Sequence, residues 1–217
     1  KAGCNIASLL KKHPVYNDFY IDTGLKGARH ICLPEYENTE DYESKNISFK
    51  RNKGLIKDRV HFFMAGSGKV SGVSLAMLEQ IKDHVLNVCY IKSDPDSIGS
   101  VAAKREKVTF NVLQQFARSG LFNDLILIDN LSLESVIGDV PLIGYYDRLN
   151  ELLSTTYHMI NVYKNSNPIM GSPDERATIS RISTIGILDT DTGAEKLFYP
   201  LEMITEKTYF FAFNEEK

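Results

Sequence analysis

The chain has 217 residues, of which 43% are hydrophobic and 24% are charged, and its formal net charge is -3. These values exclude a disordered chain and predict a globular domain with part of a second one. The acidic balance argues against a nucleic-acid-binding protein, because surfaces that bind nucleic acids carry a basic excess. No apolar run reaches the roughly 20 residues of a membrane span. The three cysteines lack the spacing of a zinc site, so a cytoplasmic protein with reduced thiols is expected.

The first part of the chain gives weak structural signals. Apolar residues recur at helical spacing and predict a helix over residues 4–12. Residues 18–22 predict a short strand, and residues 30–56 a loop-rich, charged stretch. A glycine-containing turn follows Lys1 with no initiator methionine, so a strand is expected before residue 1. The aromatic run 210–213 followed by charged residues is likewise expected to be cut within a domain.

The middle of the chain shows a clear pattern. Residues 61–65 are an apolar run typical of a buried strand, and residues 66–72 form a glycine-rich loop. Apolar residues at helical spacing predict a helix over 73–85, and another apolar run predicts a strand over 86–91. A strand, loop, helix and strand in this order predict a parallel sheet with a right-handed crossover.

The same plan repeats further along. A helix is predicted over residues 102–119, a strand over 125–128 and a long helix over 144–162. The predicted fold class is therefore α/β, with a wound parallel sheet and helices on both faces. The pattern then alternates like strands, over residues 179–188, 196–201 and 209–213, with a turn at Asp191-Thr192-Gly193.

The glycine loop Gly66-Ser67-Gly68-Lys69-Val70-Ser71-Gly72 is a candidate anion site. Free backbone N–H groups and the helix dipole both favour phosphate between a strand and a helix N-terminus. Neither common fingerprint fits. Phe63 stands where a P-loop needs glycine, and Gly72 comes one residue too late for a dinucleotide fingerprint. A phosphate site and a turn that merely joins strand to helix both remain open.

The order of motifs resembles that of the tubulin/FtsZ superfamily over most of the chain. That family carries a glycine turn before its first helix, a signature loop GGGTG[ST]G, an asparagine after a later strand, and a central helix with the stretch aromatic-x-x-x-Asn-Asp-x-Leu. The matching residues are Gly3-Cys4-Asn5, Gly66, Gly68, Ser71 and Gly72, Asn130 after strand 125–128, and Tyr146-Asp147-Arg148-Leu149-Asn150-Glu151-Leu152-Leu153.

The resemblance implies a guanine-nucleotide-binding cytoskeletal protein that assembles head-to-tail into filaments, with GTP or GDP and Mg²⁺ at the subunit interface and hydrolysis there. It implies a nucleotide-binding domain at residues 1–143, a central helix at 144–165 and part of an activation-type domain at 166–217. The divergence suggests a member similar to phage or plasmid tubulins in a bacterial cytoplasm. The implied nucleotide-binding residues are Gly3, Cys4, Asn5, Gly66, Ser67, Gly68, Lys69, Val70, Ser71, Gly72, Asp96, Asn130, Tyr146 and Asn150, and the implied catalytic residues are Asp174 and Glu175.

Some positions depart from the family pattern. Ser67, Lys69 and Val70 replace Gly, Thr and Gly of the loop. A β-branched residue resists positive φ, so Val70 is expected to hinder close approach of phosphate. Asp96 is the candidate for a ribose contact, in a loop that lacks the Glu and Arg of FtsZ. The family's Asn-x-Asp-x-x-Asp after the central helix is missing, and Asp174 and Glu175 are the nearest acids.

Several candidates also have a structural explanation. Asn5 is also explained by hydrogen bonds to nearby backbone groups, and Asn130 by capping a helix. Asp174 and Glu175 are also explained as acidic residues in the first turn of a helix. Asn150 lies within a helix, where asparagine is unfavourable, and this favours a functional role. Two other functions therefore stay open: a tubulin-like scaffold that no longer hydrolyses nucleotide, and an unrelated Rossmann-like enzyme.

Overall fold

The computed structural model describes residues 2–24, 26–27, 29–38, 41–42, 56, 59–138, 141–167, 171 and 181–212. Within these ranges the chain forms five helices and eight strands. The helices are α1 (Ala2–Leu10), α2 (Ser71–Gln80), α3 (Ser100–Arg118), α4 (Asn130–Ile137) and α5 (Tyr145–Asn165). The strands are β1 (Tyr20–Thr23), β2 (His30–Leu33), β3 (Arg59–Ala65), β4 (Val85–Lys92), β5 (Asp124–Asp129), β6 (Ile182–Thr184), β7 (Gly186–Leu188) and β8 (Glu195–Leu197).

The main sheet has the strand order β3-β4-β5-β6, and every pair in it is parallel. The register places Phe63 opposite Cys89, and Cys89 opposite Ile126. The predicted parallel sheet is therefore confirmed. β1 and β2 form a separate parallel pair in which Tyr20 lies opposite His30. β2 lies in the stretch predicted to be loop-rich, because a four-residue strand is too short to show a clear alternation.

Both faces of the main sheet are covered by helices. Side chains alternate along a strand, so neighbouring residues of β4 and β5 enter opposite layers. One core contains Cys89 and Ile91 of β4 together with residues of α1, α4 and α5; the other contains Val88 and Tyr90 together with residues of α2 and α3. This is the predicted wound α/β arrangement, and it explains why strands buried on both faces appear as continuous apolar runs.

The helix bounds differ from the predicted ones by a few residues. α2 ends at Gln80 rather than near Val85, because residues 81–84 form a turn in which the N–H of His84 donates to the carbonyl of Ile81 at 3.0 Å. α3 begins at Ser100, and α5 continues to Asn165. Ends fray and side-chain periodicity marks them poorly.

The described C-terminal residues contact the main sheet and its core. β6 pairs with β5, and Phe198 is fully buried in the core under α5. β7 and β8 form an antiparallel hairpin whose turn covers residues 190–192, with Gly193 at φ 69, so the predicted turn is confirmed. The predicted strand 179–188 is divided at Ile185, and its first two residues lie outside the described ranges.

Two further strand predictions need correction. Over residues 196–201 only the part up to Leu197 is a strand. Residues 209–212 form no strand. The Tyr209 hydroxyl and the Lys207 ammonium bond to the Glu195 carboxylate. Residue 213, the last of that run, is outside the described residues. An alternating sequence alone does not supply the neighbouring strand that a ladder needs.

The cysteines are all free, and Cys89 is fully buried in the core. Within the described ranges, no helix combines the length and the apolar character needed to cross a bilayer.

Candidate functional site

The glycine loop, the loop after β4 and Asn130 all follow the carboxyl ends of neighbouring strands. α1 also begins there, since a Cβ on Gly3 would lie 2.3 Å from the carbonyl oxygen of Phe63, near the end of β3. The Cys4 thiol lies 4.0 Å from the Ile21 carbonyl of β1. Parallel sheets bind ligands at this edge, where the loops converge. The structure therefore gathers most of the predicted nucleotide-binding segments at the edge that suits them.

The thiol of Cys4 is a neutral group in this setting. It is half-buried, and its Sγ also lies 4.0 Å from a carboxylate oxygen of Asp22. Burial, and then the negative charge of Asp22 against the opposing N-terminal charge, raise the pKa of this thiol above its usual value of 9.0. Cys4 is thus suited to weak hydrogen bonding and packing rather than to thiolate chemistry.

The glycine loop is held by residues that sequence reasoning did not single out. The hydroxyls of Ser67 and Ser93 lie 2.7 Å apart and join the loops after β3 and β4. Arg105 of α3 donates to the Ser67 carbonyl at 2.8 Å. The next residue, Glu106, accepts from the Ser93 N–H at 2.8 Å. No spacing signal in the sequence links these positions, because the contacts depend on how α3 packs.

Glu106 is an unusual part of this support. It is only 7% exposed. Burial raises the pKa of its carboxyl above the usual value, although the Ser93 N–H and the Lys92 charge act in the opposite direction. Its hydrogen bond to Ser93 fixes the end of β4 beside the glycine loop.

Val70 does not strain the loop. It precedes α2 with φ -68 and ψ -11, which is ordinary right-handed helical backbone. None of the described non-glycine residues has positive φ. The expectation that a β-branched residue here conflicts with a required positive φ is therefore wrong. Val70 instead packs beside Val73 and Met77 in a small core near β2.

Gly66 and Gly68 serve different purposes. A Cβ at Gly66 would lie 2.3 Å from the hydroxyl oxygen of Tyr90, whose ring is 1% exposed and cannot move away easily. A Cβ at Gly68 would meet nothing within 4 Å. Neither glycine has positive φ. Gly66 is thus explained by packing, whereas the fold gives no reason for glycine at Gly68.

Replacing these two glycines by alanine is expected to have opposite effects on stability. Gly66→Ala should lower the free energy of unfolding by about 1–3 kcal/mol, the usual cost of overpacking a core. Gly68→Ala should leave it unchanged or raise it by up to about 1 kcal/mol, because alanine reduces the entropy of the unfolded chain. Urea unfolding of both variants checks this, and equal destabilisation of the two would contradict it.

The start of α2 carries an unusual hydroxyl. Ser71 is 3% exposed, and its Oγ has no hydrogen-bond partner among the described residues. A buried hydroxyl without a partner is costly unless a ligand completes it. Lys69 in the same loop is exposed, and Gly72 is buried in the first turn of the helix. The loop therefore offers backbone N–H groups, one unpaired hydroxyl and one cation.

A groove between α1 and α5 brings together two of the predicted asparagines. The α1–α5 groove has a volume of about 390 Å³. Asn150, only 9% exposed, lies in it, and Asn5 faces it from the other helix. The remaining lining residues are Ser8, Leu9, Lys12, Asp147 and Glu151. Glu151 was not among the predicted binding residues, although it occupies the acidic position beside Asn150 in the helix motif.

The other predicted residues lie outside this groove. Asp96 is exposed in the loop after β4, where its N–H donates to Asp94 at 3.0 Å. Asn130 is half-buried as the first residue of α4. Tyr146 is 60% exposed, with its ring 5.1 Å from that of Tyr145. Asp174 and Glu175 lie outside the described residues.

The described residues contain no group of three His, Cys, Asp or Glu side chains arranged to hold a metal ion.

Comparison with known proteins gives structural matches only. No protein-family model and no curated protein matches the chain. CetZ from Methanosaeta thermophila strain DSM 6194 is similar in structure, with a TM-score of 0.56 and 16% identity over 78% of this chain and 54% of that one. FtsZ from M. jannaschii, solved as an empty dimer, is similar with a TM-score of 0.60 and 16% identity over 80% of this chain and 55% of that one. The chain thus spans about half the length of each, and it has the α/β fold of FtsZ and CetZ.

Proposed function

We propose that the chain binds a guanine nucleotide at the carboxyl edge of the main sheet and assembles head-to-tail into filaments. One observation supports this most strongly. Asn5 and Asn150 are far apart in sequence, and both line the α1–α5 groove. An accidental motif match would not require these two side chains to share a groove.

The groove has the chemistry of a guanine site. Side-chain amides both donate and accept hydrogen bonds, and a carboxylate only accepts. Guanine presents the O6 acceptor on one side and the donors N1–H and the 2-amino group on the other. The amides of Asn5 and Asn150 can donate to O6, and the Glu151 carboxylate can accept from N1–H and the 2-amino group. Adenine has no donor pair of this kind, so GTP is preferred to ATP.

The glycine loop is the proposed phosphate site. Backbone N–H groups before α2 and the N-terminal end of its dipole attract anions. The hydroxyl of Ser71 and the ammonium of Lys69 add a donor and a charge. Magnesium bound with the nucleotide would neutralise phosphate charge in a hydrolytic reaction. Asp96, Asn130 and Tyr146 are assigned to the ribose and the rim of the base site.

Assembly follows from the same site. A nucleotide between two subunits makes a head-to-tail contact, which is heterologous and propagates into an open filament. One of the two similar structures is a dimer of FtsZ. We place the protein in the cytoplasm of a bacterial cell, in a lineage similar to phage or plasmid tubulins.

Blocking the glycine loop is expected to weaken GTP binding at least tenfold, which corresponds to about 1.4 kcal/mol. In Gly68→Val the new side chain extends into the open space that the loop faces. Calorimetry with GTP, GDP and ATP measures the effect. Gly68→Ala is the matched control and should lose much less affinity. Unchanged GTP affinity in a folded Gly68→Val protein would show that the loop is only structural.

Removing the acids after the central helix is expected to reduce hydrolysis about tenfold or more while GTP binding is kept. In Asp174→Ala with Glu175→Ala, filaments should form and then fail to disassemble. Wild-type hydrolysis should rise more than linearly with protein concentration, because each site needs two chains. Phosphate release and sedimentation measure these effects. A rate proportional to concentration from monomers would contradict assembly-dependent hydrolysis.

The alternative function, a tubulin-like scaffold that does not hydrolyse nucleotide, makes a different prediction. It rests on Val70 in the glycine loop and on the missing acids of the family's Asn-x-Asp-x-x-Asp pattern, and it expects self-association without nucleotide. GTP binding with no hydrolysis at any concentration would favour it. Preference for NAD or ATP over GTP would instead favour a Rossmann-like enzyme.

A further inference from the structure

Two histidines that are far apart in the sequence meet outside the candidate site. His13 lies in the turn after α1, and His158 lies in α5. Their rings are stacked, with centroids 3.5 Å apart and planes 17° apart. Both side chains are half-buried, so solvent reaches the pair. Neither residue belongs to the glycine loop or lines the α1–α5 groove.

The spacing of the two rings suits the ligation of one metal ion. Two nitrogens bound at about 2.1 Å to the same ion are roughly 3.0–3.4 Å apart when the angle between them is about 90–109°. Stacked rings with centroids 3.5 Å apart hold their edges at nearly this separation. A metal ion at the shared edge of the stack can therefore bind one nitrogen of each ring after only a small tilt of the rings.

Tyr16 orients one of the two rings. Its hydroxyl oxygen lies 3.1 Å from Nδ1 of His158, and the same oxygen accepts from Nδ2 of Asn161 at 3.0 Å. In the tautomer with the proton on Nδ1, that N–H donates to the Tyr16 oxygen, and Nε2 carries the free electron pair that a metal needs. Histidines that bind metals usually hold their second nitrogen by a hydrogen bond of this kind.

The protonation state of the pair also favours a metal ion, because metals bind the neutral imidazole. Burial, and then the neighbouring His13, lower the pKa of His158 below its usual value of 6.5. At pH 7 and above, the ion therefore displaces few protons from this ring. Protonation at lower pH should compete with the metal.

We infer that His13 and His158 form a binding site for one divalent transition-metal ion, with water molecules as the remaining ligands. Zinc and nickel suit such a site, because imidazole is a favourable ligand for both. The two histidines come together only in the folded chain, so a bound ion should stabilise the fold. The inference is independent of nucleotide binding.

The test uses Ni²⁺, because the free cysteines of the chain would compete for zinc, which thiolates favour. Calorimetric titration of the untagged chain at pH 7.5 should show one nickel ion per chain. Loss of a hydrogen-bond partner of a metal ligand costs about 10–100-fold in affinity. Loss of a ligand should cost at least as much, so His13→Asn and His158→Asn should each weaken binding about tenfold or more.

Two further variants sharpen the test. His84→Asn removes a histidine from the turn between α2 and β4, as the matched control, and should keep the wild-type affinity. Tyr16→Phe keeps the aromatic ring and removes only the oxygen beside Nδ1 of His158, so nickel affinity should fall about tenfold. Nickel at about 100 times its dissociation constant should raise the melting temperature of the wild type by several degrees and that of His158→Asn not at all.

Circular dichroism checks that each variant is folded. A wild-type chain that binds no nickel at millimolar concentration would overturn the inference. Wild-type affinity in both His13→Asn and His158→Asn would show an adventitious ion only, bound elsewhere on the chain. Wild-type affinity in a folded Tyr16→Phe protein would overturn the site with His158 held by Tyr16, even if the histidine variants failed to fold.

Discussion

Acidification from pH 7 to pH 4 is expected to lower the free energy of unfolding by about 3 kcal/mol through His61 alone. Burial, and then the charges of Arg59 and Lys164, lower the pKa of His61 from 6.5 to about 4. Between pH 6.5 and about pH 4, His61 is therefore protonated in the unfolded chain but neutral in the folded protein. Stability contributed by neutral His61 is complete above pH 6.5 and is lost as the pH falls to 4. Each pH unit in this window costs about 1.4 kcal/mol.

The surroundings of His61 explain its low pKa. Its Nδ1 lies 2.5 Å from the hydroxyl oxygen of Tyr157, and the Tyr16 ring lies 6.2 Å away. These residues belong to a histidine cluster, which also contains His13 and His158 with their rings stacked 3.5 Å apart. Burial and the neighbouring His13 also lower the pKa of His158. The cluster ties the end of α1 to α5 and β3.

His61→Asn isolates the contribution of this residue. The amide keeps a polar atom near the Tyr157 hydroxyl but does not titrate, so the acid slope of stability should become shallower. Urea unfolding between pH 4 and pH 7.5 gives both slopes. An identical slope in wild type and His61→Asn would show that His61 titrates normally in the folded protein.

The main sheet could be predicted from the sequence because its central strands are apolar on both faces. β4 and β5 each place successive residues in opposite cores, so they appear as uninterrupted apolar runs. Short elements gave no such signal. β2 has four residues and escaped detection, and the alternating residues 209–212 form no strand. Strand pairing depends on a neighbouring strand from elsewhere in the chain, and the hydrophobic periodicity of one segment does not show whether that neighbour is present.

The candidate site was predictable in its segments but not in its geometry. Motif order led to Asn5, Asn150 and the glycine loop, and the structure places the two asparagines in one groove. The sequence could not separate Gly66, which faces Tyr90, from Gly68, which faces open space. It also could not find Arg105, because that side chain reaches the loop across the packing of α3. Those facts depend on distances between elements, which no local pattern encodes.

Guanine recognition provides the second large effect. In the proposed site the Glu151 carboxylate accepts from N1–H and the 2-amino group of guanine. Inosine triphosphate (ITP) lacks that 2-amino group but keeps the O6 acceptor and the N1–H donor of guanine. Hydrogen bonds to charged groups contribute about 1.5–3 kcal/mol. The wild-type protein is therefore expected to bind GTP about 10- to 100-fold more tightly than ITP, and ATP more weakly than either.

Two variants separate the groups of the α1–α5 groove. Glu151→Gln turns half of the acceptor pair into a donor that opposes the guanine donors, so GTP affinity should fall about 100-fold and the preference over ITP should vanish. Asp147→Asn removes the same charge from the same groove, one turn earlier on α5, and should keep that preference. Asn150→Ala should weaken GTP and ITP alike, because both carry the O6 acceptor.

Equilibrium titration of GTP, ITP and ATP against the wild type and these variants measures the effects. Circular dichroism checks that each protein is folded. The Asp147 and Glu151 variants are expected to fold because both residues are exposed. Loss of the GTP preference in Asp147→Asn rather than in Glu151→Gln would move base recognition to the other carboxylate. A GTP affinity unchanged by both Glu151→Gln and Asn150→Ala would place the base outside the groove. The shared position of Asn5 and Asn150 would then be a packing feature of α1 against α5.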